Sequence, residues 1–434
     1  MGRTKKELGL DSMGIQKSMR LTDYLGDGFG QLPLNIMSSL VGQLTYFYTE
    51  KVGLAAGMVA TMLLIAKIFD AFSDLAMGKI MDAGRSPKGK CRPWFSRMAI
   101  PALVAIILLF TVPKNIGSGF QAAYVLITNV LITAIVYTAV AIPYGALMAI
   151  RTESFEERGK MGIFRTAFGY IAGMVIAILL IPITNMLGGT QSAWIKVAVV
   201  FGLISLLSLM ILYKVTRENV QIVEKSEDDD VPFVEAIKML FKNKYWVIML
   251  VLQFLINISY SLTTSGGTYY AKYILADENM FGTFAWFINI PLIIALIFTP
   301  TIVQKWNGMY KLNKYSYMVA TVGRLLVAVA GYMGNIPLML AFTALAALGQ
   351  GPWQGDMNAV IASCSEYSWL TKHKHVDGIM YSCTSLGVKI GGGLGTAIVG
   401  LLLDFSGFKG TLTVQPDSAI NMLHIMYLIV PFAL

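Results

Sequence analysis

Apolar residues run along this chain in twelve blocks, broken by short polar loops. A bilayer-crossing helix needs about 20 such residues. The blocks lie at roughly 22–49, 54–82, 94–113, 120–149, 161–187, 193–213, 246–273, 281–304, 314–334, 337–365, 377–405 and 419–434. The last starts after Asp417-Ser418 and stops at Leu434, so a truncated final helix is expected. The loops alternate in charge. The N-terminus, RSPKGKCRPWFSR, RTESFEERGK, the long central loop, QKWNGMYKLNK and WLTKHKH are rich in Lys and Arg, whereas NIGSGF, LGGTQS, LADENM and MGNIP are poor in them. Basic loops stay on the cytoplasmic side. Both termini are therefore expected in the cytoplasm.

The only long polar stretch, YKVTRENVQIVEKSEDDDVPFVEAIKMLFKNK, divides the chain into two halves of six blocks. The expected organisation is a first half over 1–214, a cytoplasmic linker over 215–245 and a second half over 246–434. Within the linker, EKSEDDD reads as solvated, and VPFVEAIKMLFKN has helical apolar spacing suited to the membrane surface. Two six-helix halves joined this way are the layout of an all-α major-facilitator transporter, which binds cargo near the midplane.

Composition agrees. Hydrophobic residues make up 56% of the chain and charged residues 14%, against about 25% charged in soluble domains. The net charge of +9 sits mostly in loops, so it marks topology rather than nucleic-acid binding. No cleavable signal peptide is expected before the first block. Cys91, Cys364 and Cys383 fall near the cytoplasmic side, so no structural disulfide is expected. His373, His375 and His424 share no metal-ligand spacing, and the first two lie in a basic loop.

The chemistry lies in charges that interrupt apolar blocks. Block two carries Lys67, Asp70, Ser73 and Asp74, on roughly one helical face. A carboxylate at the centre of a membrane helix costs about 2.5–3.5 kcal/mol on insertion scales, so this face must look into a bundle or a pathway. Block four adds Tyr137 and Thr138, block five Arg165, and block eleven Lys389. Two carboxylates with hydroxyl oxygens can replace the hydration shell of a sodium ion. The same pair can share a proton, because close carboxylates resist joint ionisation. The plain alternative is a static buried ion-pair network. Block seven is polar on Asn257, Ser259, Tyr260, Thr263, Thr264 and Ser265, which suits a cavity lining. Trp353 and Gln354 lie on a Gly- and Pro-interrupted helix, where an indole can stack on a sugar or simply pack. Gly391, Gly392, Gly393 and Gly395 suit close helix crossing.

The stretch VATMLLIAKIFDAFSDLAMGKIMDAGRSPKGKCRPW resembles the signature of the glycoside–pentoside–hexuronide:cation symporters, the melibiose-carrier family. The matching positions are Lys67, Phe69-Asp70, Asp74, Asp82, Arg85-Ser86 and Gly89-Lys90-Cys91-Arg92-Pro93-Trp94. YFYTEKVGL, YTAVAIPYGAL, YYAKYILADE, SEYSWLTKHKHVDGIMYS and LGVKIGGGLG extend the resemblance over most of the chain. It implies that Asp70, Asp74, Ser73 and Thr138 hold the cation, and that Tyr137, Arg165 and Lys389 line or couple the two sites. It also departs from the family's sugar side. Ala141 and Gly145 stand where the melibiose carrier has an aspartate and a tryptophan, and Phe29-Gly30-Gln31 lacks its acidic residue. Ala362 to Trp369 likewise departs from the pattern of the tenth helix.

The expected function is a secondary symporter of the cell membrane, not an enzyme. It would couple sodium or proton entry to uptake of a sugar, glycoside or hexuronide by alternating access. Sodium, if it is the coupling ion, would sit at Asp70 and Asp74, and no other cofactor is expected. Cargo contacts fall to Gln31, Lys67, Tyr137, Arg165, Trp353, Gln354 and Lys389. With Arg165 and Lys389 nearby and fewer carboxylates in the cavity, an anionic sugar such as a hexuronide or glucuronide is slightly preferred to a neutral glycoside. Asp82, Arg85, Lys90 and Arg92 would make cytoplasmic gating contacts, with lipid-headgroup binding as the alternative. The partners are thus a small sugar, a cation and the lipid bilayer, with a monomer expected. A lysolipid or drug carrier on the same fold is the second reading. An intramembrane aspartyl protease is remote, because Asp70 and Asp74 share one helix.

Overall fold

The computed structural model describes residues 9–10, 14–83, 89–114, 117–152, 154–218, 233–306, 309–372, 377–410, 412 and 414–434. These residues are nearly all helical. In chain order the helices are α1 (Leu21–Gly28), α2 (Gln31–Gly42), α3 (Leu44–Tyr46), α4 (Ala56–Ala83), α5 (Arg92–Phe110), α6 (Ser118–Val130), α7 (Thr138–Arg151), α8 (Phe155–Met186) and α9 (Gln191–Val215). They continue with α10 (Phe233–Lys242), α11 (Lys244–Tyr273), α12 (Met280–Trp306), α13 (Met309–Tyr332), α14 (Ile336–Lys372), α15 (Asp377–Phe405), α16 (Asp417–His424) and α17 (Val430–Ala433). Among the described residues, nine helices are long and apolar enough to cross a membrane.

Three of the expected spans depart from a simple rod. The first is broken at Phe29-Gly30 and ends in a π-helical turn over Phe47–Val52, which Gly53 closes at a φ of 87°. The fourth runs as α6, a π-helical turn over Leu131–Tyr137, and α7. The last is α16, a π-helical turn over Ile425–Ile429, and α17.

The chain forms two compact units. The first draws on Met1–Val41, Ile65–Ile176 and Ile183–Glu224; the second draws on Gly42–Leu64, Ala177–Pro182 and Lys225–Leu434. In the first unit, α5 opens with Pro93 in its first turn, where a missing N–H costs nothing. Its free N–H groups meet a carboxylate from beyond α9. Lys90, Cys91 and Arg92 donate their backbone N–H to Glu218 at 2.7, 2.9 and 2.7 Å. An anion at a helix N-terminus satisfies orphan donors and complements the helix dipole.

In the second unit, Asn243 starts α11 by accepting from Tyr245 and Trp246 N–H groups. Its amide nitrogen donates to Cys364 O at 2.9 Å and Ser368 Oγ at 2.8 Å, tying α11 to α14. The linker helix is α10. Met239 and Leu240 of α10 join Trp246, Met249, Trp353 and Met380 in one buried cluster, while Phe241 stays exposed. The EKSEDDD segment lies outside the described residues. Glycines set the helix crossings as expected for Gly391 and Gly395, where a Cβ would overlap Phe254 O and Ser261 Cβ respectively.

Three of the polar block-seven side chains bond to backbone carbonyls. Ser265 donates to Gly42 O at 2.9 Å. Thr263 and Asn257 bond back to their own helix. A buried hydroxyl must find an acceptor, and the helix backbone is the nearest one.

Candidate functional site

Two neighbouring constellations in the first unit carry the chemistry. The first is built on α4 and on the start of α7. Residues Leu131–Tyr137 form a π-helical segment just before Thr138. Such segments re-aim side chains and recur at functional sites. Here Thr138 Oγ1 lies 2.8 Å from Asp74 Oδ1 and 3.5 Å from Asp70 Oδ1. Ser73 Oγ stands 3.4 Å from Thr138 Oγ1 and donates to Asp70 O at 2.9 Å. Lys67 Nζ lies 3.4 Å from Asp70 Oδ2. Asp70 is 3% exposed.

The donor set consists of oxygens alone: two carboxylates and two hydroxyls. That set suits a hard cation and not a soft one. It also suits a shared proton. Lys67 offers a positive group that can balance Asp70.

The second constellation is a cavity of about 360 Å³. Gln31, Leu34, Asn35 and Ser38 of α2 line one side. Tyr137, Ala141, Tyr144 and Gly145 line another, and Arg165 of α8 completes it. The volume falls within the usual range for small-molecule pockets. Tyr137 and Thr138 are adjacent in the chain, so one turn of helix touches both the cavity and the carboxylate pair.

Arg165 lines the cavity with its charge already matched. Its Nε lies 2.6 Å from Asp27 Oδ2 and its Nη2 lies 3.0 Å from Asp27 Oδ1. Nη1 donates to Tyr144 O at 2.8 Å, and the guanidinium stacks 3.8 Å from the Tyr144 ring centre. Asp27 is fully buried and also meets Arg151 at 3.5 Å. The break between α1 and α2 makes room for this network. A Cβ at Gly28 would overlap the Phe168 ring, and one at Gly30 would overlap Tyr144.

The structure brings together Lys67, Asp70, Ser73, Asp74 and Thr138 as one group, and Gln31, Tyr137 and Arg165 as another. Of the remaining candidates, Trp353, Gln354 and Lys389 belong to the second unit and Arg92 to the first. Trp353 is 7% exposed and packs edge-on to Tyr317 at 5.9 Å, inside the cluster with Trp246. Its indole is a core residue here and not an open stacking platform. Gln354 is exposed on α14, and Lys389 is half-buried on α15. Arg92 Nε donates to Tyr213 O at 2.9 Å and its guanidinium covers the Tyr213 ring, both within the first unit. Arg85 and the Asp82 side chain lie outside the described residues, as do His373 and His375.

Sequence reading missed Asn35, Ser38, Tyr144 and the Asp27–Arg165 pairing. Asp27 lies in the glycine-rich YLGDGFG. Asn35 and Ser38 left no signal, since isolated polar residues in an apolar block are common.

A third polar group joins the ends of the first and seventh spans, inside the second unit. Glu50, whose side chain is fully buried, pairs with Lys272 and accepts from Tyr273 Oη at 2.8 Å. Lys51 and Lys272 lie 3.5 and 3.7 Å from Glu278. Thr49 Oγ1 and Tyr269 Oη share a hydrogen bond of 2.6 Å, and Thr268 donates to Gln43 Oε1 at 2.8 Å.

Comparison with known proteins agrees with this architecture. The sequence profile of the family described as MFS/sugar transport protein matches residues 26–434. The isoprimeverose transporter of Lactiplantibacillus pentosus is 28% identical over 402 residues, covering 92% of this chain and 82% of that protein. The glucuronide carrier protein homolog of Escherichia coli strain K12 is 24% identical, covering 86% of this chain and 80% of that protein. Among solved structures, a bacterial homolog of the human lysosomal transporter Spinster superposes with a TM-score of 0.69 at 12% identity, covering 96% of this chain and 94% of the other. The xylose transporter XylE from E. coli gives 0.62 at 13% identity, covering 94% and 95%. These likenesses show a shared fold. With its helices, its buried carboxylates and a profile match along nearly its whole length, this chain is a multi-pass membrane transporter of the MFS/sugar transport protein family.

Proposed function

We propose that this protein is a cation-coupled symporter that carries a neutral sugar or glycoside inward across the cell membrane. The observation that carries the reading is the adjacency of Tyr137 and Thr138. Tyr137 lines the cavity, and Thr138 bonds the carboxylate pair. Sodium or a proton at Asp70 and Asp74 draws Thr138 toward the ion and fixes the turn that presents Tyr137. Each ligand then strengthens the other's binding by the same factor, as linkage requires. Alternating access moves the loaded site from one face to the other. The basic loops put both termini in the cytoplasm.

Neutral cargo follows from the lining. Gln31, Asn35, Ser38 and Tyr137 offer uncharged donors and acceptors. Arg165, the cation of the cavity wall, is balanced by Asp27. An anionic sugar would have to compete with a buried, two-pronged carboxylate for that charge. The relatives differ in their named cargo, isoprimeverose in one and a glucuronide in the other, so likeness does not choose between them.

The test is uptake into vesicles with imposed sodium or proton gradients. The panel is isoprimeverose, xylose, methyl glucoside, methyl glucuronide and a lysolipid. Gradient-driven uptake of a neutral member is expected. Uptake of the glucuronide alone would reject the neutral assignment, and uptake of the lysolipid alone would favour the lipid-carrier reading.

A further inference from the structure

The cavity holds an amide pair, of which the sequence marked only Gln31. Gln31 and Asn35 stand four residues apart on α2, hence on one face. Asn35 Nδ2 lies 2.9 Å from Gln31 O and 3.3 Å from Gln31 Oε1. Both hydrogens of that amide are thereby directed at Gln31. Its carbonyl oxygen, Oδ1, is the part of Asn35 left to face a ligand, because an amide offers two donors and one acceptor oxygen.

The facing wall belongs to α8, where two glycines sit four residues apart. A Cβ at Gly169 would stand 3.5 Å from Asn35 Nδ2 and 3.5 Å from Gln31 Oε1. A Cβ at Gly173 would stand 3.5 Å from Asn35 Oδ1 and meet nothing else within 4 Å. These are ordinary contact distances. The glycines therefore do not prevent a clash; they leave the amide heads uncovered. On α7, Ala141 and Gly145 add no polar atom to the floor of the cavity, and a Cβ at Gly145 would meet nothing.

We propose that Asn35 is a specificity-determining residue. Held by Gln31, it presents Oδ1 as a fixed acceptor for a hydroxyl of the sugar, and Gly173 keeps that acceptor open. The inference rests on the symporter reading and assigns the hydroxyl recognition of its cargo to α2. A fixed amide acceptor selects a hydroxyl over hydrogen at that carbon strongly, because an unfilled buried acceptor loses its water on binding. It places no charge in the cavity, consistent with a neutral pyranoside or furanoside.

The experiment is equilibrium exchange of isoprimeverose, xylose and methyl glucoside in vesicles holding the full chain. It is run with Asn35→Leu and Gly173→Ala. Leu matches the amide in size and removes the acceptor. Ala sets a methyl against Oδ1 at a helical position where it is favoured over Gly. Each variant is expected to raise the KM for the best-bound sugar by about tenfold or more. The half-saturating cation concentration, the maximal exchange rate and the melting temperature should stay near those of the unsubstituted chain. Should Asn35→Leu fail to fold, Gly173→Ala decides alone. An unchanged KM in the folded variants overturns the role of Asn35 and leaves the symporter reading standing. A fall in rate, cation response and stability together overturns it too, since that is the mark of a packing residue. Failure of the unsubstituted chain to exchange any of the three sugars overturns both.

Discussion

Arg165 grips Asp27 with two nitrogens, Nε at 2.6 Å and Nη2 at 3.0 Å, and both side chains are buried. The pair ties α8 to the break between α1 and α2. Removing one partner of such a pair strands the other charge and costs about 3–5 kcal/mol. Asp27→Asn should therefore lower the melting temperature of the purified transporter clearly. It should also leave Arg165 without its counter-charge, so that methyl glucuronide binding improves relative to methyl glucoside. An unshifted melting temperature with an unshifted cargo preference would show that Asp27 does not control the charge of the cavity.

The carboxylate pair predicts a separation of coupling from exchange. Asp70→Asn and Asp74→Asn each remove an anionic oxygen beside Thr138. Accumulation against a gradient should be lost, while sugar exchange at equilibrium survives in part. Thr138→Val removes a hydroxyl that bonds a charged group, an interaction of about 1.5–3 kcal/mol. Its half-saturating cation concentration should rise at least tenfold. Full accumulation by both aspartate variants would remove the cation from this site.

Glu50 and Lys272 predict an asymmetry between two lysines. The Glu50 side chain is fully buried and pairs with Lys272. Lys272→Met leaves a buried carboxylate with the Tyr273 hydroxyl and the charge of Lys51 but no ion-pair partner, and should cost about 3–5 kcal/mol of stability. Lys51→Met should cost much less, because Glu278 keeps Lys272 at 3.7 Å. These contacts join the ends of the first and seventh spans, so they must part if those ends separate during transport. Lys272→Met is accordingly expected to change transport rate as well as melting. Equal effects of the two lysine substitutions would contradict this account.

Gly89 and Glu218 predict a backbone requirement. Gly89 has a φ of 106°, which favours glycine, and a Cβ there would overlap the Glu218 carboxylate. Gly89→Ala should push Glu218 away from the three N–H groups at the start of α5. Glu218→Ala should produce a similar loss without backbone strain, about 1–3 kcal/mol. Thermal melting of the two variants checks the pairing, and a stable Glu218→Ala protein would rule out the carboxylate as the anchor of this loop.

Much of this was legible in one dimension. The apolar blocks mark the spans because every backbone group in lipid must be satisfied within a helix. Asp70 and Asp74 announce themselves because a carboxylate in an apolar block is costly, and Lys67 one turn away shares their face. Thr138 could be placed beside them only through the resemblance, since it lies on another helix. The break in the first span was not legible, because the apolar block at 22–49 runs through it.

Sequence alone determined that this is a helical membrane transporter with a carboxylate pair inside an apolar block, because hydropathy and intramembrane charge act locally along the chain. Tertiary structure decided how each polar group is used. It neutralised Arg165 with Asp27, which lies 138 positions away in the chain. It sent Trp353 into the core with Trp246, and Ser265 to the backbone of Gly42. It set the π-helical segment that turns Thr138 toward the carboxylates and Tyr137 toward the cavity. A charge or an indole has the same sequence signature whether it meets a ligand or a neighbour. Only the packing of helices far apart in the chain determines which partner is within reach.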